Sequence, residues 1–175
     1  MKAVPSVQVE ELPRSVEEFV TLRDEIAGTP QGGAALMIAA LLVYAEDSDL
    51  GQQCLAAAID PQRLEEGLKG YDGWQLRSRE LSLIQSQIRH QPFIPRSYVR
   101  GATPENGYQL PDPPYIFDFA VSPYSGDPES GTYKVFVSCS GAATPRPVTV
   151  SKHGPLWKAY EWSTLVVGVR TPAQP

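Results

Sequence analysis

Arg89, Arg96 and Arg100 fall among Phe93, Tyr98 and Tyr108 in a stretch with no acidic residue before Glu105. Guanidinium forks suit carboxylates and phosphates, and neighbouring aromatic rings suit protein surfaces. Arg146, farther along, adds another cation. Arg96, Tyr98, Arg100, Tyr108 and Arg146 are therefore the candidate ligand- or partner-binding residues. In that reading the three guanidinium groups clamp an anion and a tyrosine supplies a hydroxyl. The structural alternative is that the arginines pin their own loop, pairing with acidic helices and donating to loop carbonyls.

Other chemistry finds less support. The two histidines, His90 and His153, have no Cys or acidic neighbour at a zinc-binding spacing, so no metal is expected. Cys139 and His153 lie on strand-like segments that could adjoin, but their surroundings read as core cysteine and turn histidine. Ser138-Cys139-Ser140-Gly141 lacks the strand–turn–helix setting of a nucleophile elbow. No P-loop or GxGxxG is present, so no nucleotide cofactor is expected. Glu17-Glu18 and Glu65-Glu66 sit on segments read as exposed helix, where nothing moves a carboxyl toward acid–base work. No catalytic residue is assigned.

A chain of 175 residues with 42% hydrophobic and 20% charged residues suits one folded domain. The net charge of −5 is uneven. Residues 1–90 carry eight Lys and Arg against fourteen Asp and Glu; residues 91–175 carry seven against six. An acidic surface disfavours nonspecific contact with nucleic acid or anionic lipid. No secretory signal is evident, and the longest apolar run, Ala34 to Ala45, is 12 residues where a bilayer requires about 20. Cys54 and Cys139 read as free thiols, and a cytoplasmic location is expected.

The side-chain rhythm changes along the chain. After a Pro-containing leader, Ser15-Val16-Glu17-Glu18 is a capping box opening a helix that ends near Ala27. Thr29-Pro30 caps a second, apolar around its circumference, with Gly32 and Gly33 permitting close approach of another segment. Asp47 and Ser48 cap a third through about Ile59, and Asp60-Pro61 repeats the signal for a short fourth. Trp74, Leu81, Ile84 and Ile88 mark a last helix, with Trp74 as its core anchor. Residues 91–114 form a long loop with six prolines. Period-two alternation then predicts strands at Tyr115–Val121, Tyr133–Cys139, Val148–Val150 and Leu156–Trp162, with Leu165–Val169 as an extension. Trp157 and Trp162 have opposite parity, so one is free to mark an interface. The expected fold is α+β: four to five N-terminal helices (1–90) packed on a C-terminal antiparallel meander of about four strands (115–170).

The chain resembles a bacterial family catalogued as a domain of unknown function. The resemblance rests on Thr29-Pro30-Gln31-Gly32-Gly33-Ala34-Ala35-Leu36 and on Pro95-Arg96-Ser97-Tyr98 through Thr103-Pro104-Glu105-Asn106-Gly107-Tyr108. Ser122-Pro123-Tyr124-Ser125, Ser140-Gly141-Ala142 with Pro145-Arg146-Pro147, and Trp157–Arg170 complete it. It implies one small domain and transfers no activity, cofactor or catalytic residue. The functional expectation is a non-catalytic protein-interaction module binding a protein partner through the long loop and a sheet edge, such as an accessory or immunity protein of a bacterial toxin system. The alternative is a small anionic-ligand-binding protein or cryptic enzyme with its pocket between the 91–114 loop and the sheet. Oligomeric state and pathway are not legible.

Overall fold

Ser15 opens helix α1 (Val16–Ile26) by accepting the Glu18 amide at 3.1 Å. The Glu18 carboxylate reaches past the serine to the Arg14 amide instead, at 2.8 Å. Thr29 caps α2 (Pro30–Glu46) through the Gly32 amide, and Asp47 caps α3 (Ser48–Ala58) through Leu50. These three helices begin where their capping residues place them. The computed structural model describes residues 1–173.

β1 (Lys2–Val9), in the segment read as a leader, is the first departure from expectation. It pairs antiparallel with β4 (Tyr115–Val121) and extends the meander of β4, β5 (Thr132–Val137), β6 (Arg146–His153) and β7 (Leu156–Glu161). The sheet therefore has five strands, ordered β1-β4-β5-β6-β7. The second departure follows α3. Asp60-Pro61 starts only a single 3-10 turn, Pro61–Arg63, and residues read as helix form a hairpin, β2 (Leu64–Tyr71) and β3 (Trp74–Leu76). Glu65 and Glu66 are thus exposed strand residues, Trp74 belongs to β3, and α4 starts at Ser78 and runs to His90. The third lies near the C-terminus, where Ser163–Val166 is a 3-10 turn rather than a sheet extension. Trp157 and Trp162 are both buried.

α2 is the centre of the core, buried continuously from Gly32 to Tyr44. One side faces β5, β6 and β7, and α1, α3 and the 3-10 turn at Ile94–Tyr98 pack on the rest. Val7, Phe117, Phe119, Val135, Val137, Val148, Val150, Trp157 and Ala159 are the buried inward positions of the sheet. The close approach is localised at Gly33, where an added Cβ would lie 2.6 Å from the Trp157 carbonyl oxygen. The Trp157 amide also donates to the Ala27 carbonyl at 2.8 Å, so β7 is clasped to the α1–α2 junction. Gly32 and Gly33 each weaken an isolated helix by about 1 kcal/mol. Burial of Leu36, Met37, Ile38 and Leu41, each contributing about 1.5–3 kcal/mol, outweighs that loss. Among the described residues no helix is long and apolar enough to cross a membrane.

Helix propensity alone favours Gly33→Ala by about 1 kcal/mol. Because the methyl group meets β7 backbone, the substitution is expected instead to destabilise the protein by about 1–3 kcal/mol, lowering the melting temperature by several degrees. An unchanged or raised melting temperature would contradict the contact.

Candidate functional site

The 91–114 loop is ordered by two 3-10 turns, Ile94–Tyr98 and Pro104–Asn106. Tyr98 is buried and donates its hydroxyl proton to the Leu165 carbonyl at 2.8 Å. Arg146 Nη1 donates to the Tyr98 oxygen at 3.0 Å and to the Thr164 and Val167 carbonyls at 3.3 and 2.8 Å, while Nη2 donates to Gly168 at 2.8 Å. The fork thus satisfies the carbonyls of Thr164, Val167 and Gly168, which have no strand partner to do so. Burial, the dominant influence, pushes the Tyr98 hydroxyl pKa above its ordinary value despite Arg146.

The other candidates are held separately. Arg100 makes a bidentate pair with Asp118, its Nε at 2.9 Å, and holds that carboxyl below its ordinary pKa. Arg96 lies 4.0 Å from Glu46 at the end of α2. Tyr108 stacks on Phe93 with centroids 5.2 Å apart and donates to the Arg170 carbonyl at 2.7 Å. The Pro-Glu-Asn-Gly-Tyr stretch owes its composition to a tight turn. Asn106 accepts the Thr103 and Gln109 amides and donates to the Gly101 carbonyl, while Gly107 and Tyr108 both take left-handed backbone at φ 70° and 56°. Arg96, Arg100 and Arg146 have three different sets of partners; Arg89 lines a separate cleft beside Tyr44.

The serine and cysteine positions are likewise engaged with the loop. The Cys139 thiol lies 3.3 Å from Ser97 Oγ, and Ser140 donates its amide to the Ser97 carbonyl and its hydroxyl to Ala102. Cys139 and His153 lie at opposite ends of the sheet. Val137 pairs with Arg146, and His153 is seven residues further along β6, a strand length of about 23 Å. Both cysteines are free thiols; burial, then Asp47, pushes the Cys54 thiol up to about 12. Among the described residues no group of three His, Cys, Asp or Glu is placed to hold a metal ion.

A groove of about 280 Å³ lies between the end of β1 and α1. Glu10, Glu11, Glu18 and Glu25 are exposed around it, and the half-buried Leu12, Leu22 and Ile26 contribute apolar surface. Among the described residues no basic side chain lines it. β1 is also an edge of the sheet, whereas Ile59 and Asp60 bond to Ala159 along the opposite edge strand, β7. Composition signalled the acidity of this half, but residues 8–26 could not be seen as a groove until β1 was known to be a strand.

A further polar cluster joins residues far apart in the chain. Asp60, 2% exposed, accepts the Gln62 amide on Oδ1 at 2.9 Å. Its Oδ2 accepts the Ser151 hydroxyl at 2.6 Å and lies 2.9 Å from His153 Nε2. Burial is the largest influence and pushes the carboxyl up, but Ser151, Gln62 and His153 together outweigh it and hold Asp60 below its ordinary pKa. The carboxylate contacts both partners itself, so histidine does not bridge serine and acid as in a hydrolytic triad. With a depressed folded-state pKa, Asp60 stabilises the fold above the unfolded value of about 3.9, and this contribution disappears as pH falls through the folded value. Asp60→Asn is expected to cost about 1–3 kcal/mol at neutral pH, with the difference from wild type shrinking below about pH 4 in denaturant titrations. A difference that stays constant down to pH 3 would contradict this assignment.

No curated protein and no solved structure matches the chain. A family model matches residues 11–173, from just before α1 through the segment after β7, and leaves β1 outside the matched region. With nearly the whole chain matched, the protein belongs to the family described as Domain of unknown function (DUF6935).

Proposed function

We propose that the domain is a non-catalytic protein-interaction module that receives a basic segment of a partner in the acidic groove between β1 and α1. The observation carrying this reading is the combination of four exposed glutamates with an apolar floor beside the open sheet edge. Carboxylates of one sign steer an oppositely charged partner and set its orientation, while the apolar floor supplies surface to bury. The edge strand offers backbone groups to an extended segment. Pro5 and the register irregularity between Val4 and Val7 interrupt that edge, which favours pairing along its C-terminal part, next to the glutamates.

The loop supports this reading indirectly. Tyr98, Tyr108 and Arg146 bond to carbonyls of their own chain, and Arg100 bonds to Asp118, so these groups serve to hold the groove-bearing scaffold together. Neutralising a basic toxin or nuclease, as an accessory or immunity protein does, is the role this charge pattern suits best.

The test is to capture a partner from native extract, identify it, and measure its affinity for wild type and for E10K/E11K/E25K. Charge reversal is expected to weaken binding at least about tenfold. Raising salt from about 0.1 to 1 M shortens the screening length from ~10 to ~3 Å and should weaken wild-type binding. Equal affinity of the two proteins would overturn the groove assignment.

A further inference from the structure

A cavity of about 520 Å³ lies at the start of α4, against the Pro61–Arg63 turn and the end of β7. Arg63, Arg77 and Arg79 line it, together with Glu80, Glu161 and Trp162. The cavity shares no lining residue with the acidic groove of residues 8–26, and none of the three arginines belongs to the 91–114 loop. A volume of this size accommodates a small metabolite.

Two of the guanidinium groups are held in place. Arg63 pairs with Glu161, donates Nε to the Tyr160 carbonyl at 3.1 Å, and lies 4.8 Å over the Tyr160 ring. Arg77 donates to the Gln62 carbonyl at 2.7 Å. Arg79 is exposed and, among the described residues, has neither a hydrogen-bond nor an ion-pair partner. α4 is a 13-residue helix whose N-cap, Arg77, provides no side-chain hydrogen bond, so its first-turn amides remain without a capping acceptor at the same end. Three guanidinium groups against two carboxylates leave a formal excess of one positive charge around the cavity.

Glu80 supplies a second kind of requirement. Its Oε2 is buried and, among the described residues, has no hydrogen-bond partner. A carboxylate with one oxygen shut away from any donor is poorly solvated, and a ligand hydroxyl donating to its accessible oxygen, Oε1, would offset that. We propose that this cavity binds a small hydroxylated oxyanion: its carboxylate or phosphate monoester faces Arg77 and Arg79, its hydroxyl donates to Glu80, and Trp162 forms the flat wall.

Calorimetric titration of the full chain in a buffer free of phosphate and carboxylate tests this with four probes. Glycerol 3-phosphate and glycerate carry the anion and the hydroxyl; inorganic phosphate and acetate are counterparts without the carbon-borne hydroxyl. At least one hydroxylated probe is expected to bind with a Kd of about 1 mM or tighter, and which one does so distinguishes phosphate from carboxylate. Its counterpart should bind about fivefold more weakly. Arg79→Ala, an exposed substitution, should weaken binding about tenfold or more. Glu80→Ala should erase the preference for the hydroxylated probe. Absence of saturation by all four probes at about 10 mM, or wild-type affinity in Arg79→Ala, would overturn the site. An equal affinity of each hydroxylated probe and its counterpart would overturn the role of Glu80.

Discussion

The packing of Gly33 against Trp157 is the contact on which the rest of the architecture depends. A helix apolar around its circumference cannot leave any face in water, so α2 must be enclosed by sheet on one side and helices on the other. Enclosure requires backbone-to-backbone approach at one point. Glycine at position 33 allows the β7 carbonyl to come within 2.6 Å of the place a methyl group would occupy. The amide of Trp157, bonded to Ala27, fixes that approach in register. Once β7 is placed, the meander fixes β6, β5 and β4, and β1 closes the far edge.

The same logic explains the loop. Residues 163–168 leave the sheet as a 3-10 turn and extended chain, and their carbonyls have no neighbouring strand to satisfy them. Arg146, with five donors in a rigid fork, serves three of these carbonyls together with the Tyr98 oxygen. Tyr98 and Tyr108 then tie the loop to Leu165 and Arg170. The loop is a polar strap joining the second half of the chain to itself. Tyr98, Tyr108 and Arg146, suited by type to a ligand, donate here to backbone carbonyls, while Arg100 pairs with Asp118 and Arg96 lies near Glu46.

Features encoded locally were legible in the residues. Capping by Ser15, Thr29 and Asp47, the circumferential burial of α2, and the alternation through Phe117–Phe119 and Val135–Val137 all needed only neighbouring residues to be read. β1 was hidden because Pro5 and the irregularity between Val4 and Val7 break its alternation. The β2–β3 hairpin was hidden because Asp60-Pro61 is a true cap for a turn that stops after three residues, while the Trp74–Leu81 spacing fits a helix by coincidence. Asp60 itself was singled out only as a cap. Its bonds to Ser151 and His153 span more than ninety residues, and no local pattern announces such a pairing. Acidity was legible as a count, whereas the groove needed β1 and α1 side by side.

The functional reading relies on the strap being an integral part of the folded scaffold. Native-state amide hydrogen exchange addresses this directly through the bonded amides of Arg100, Ala102 and Tyr108. With an integral strap, these amides exchange in the same slow class as those of Leu36–Leu41 in α2, through global unfolding. Rapid exchange of the loop amides while α2 stays protected would contradict it.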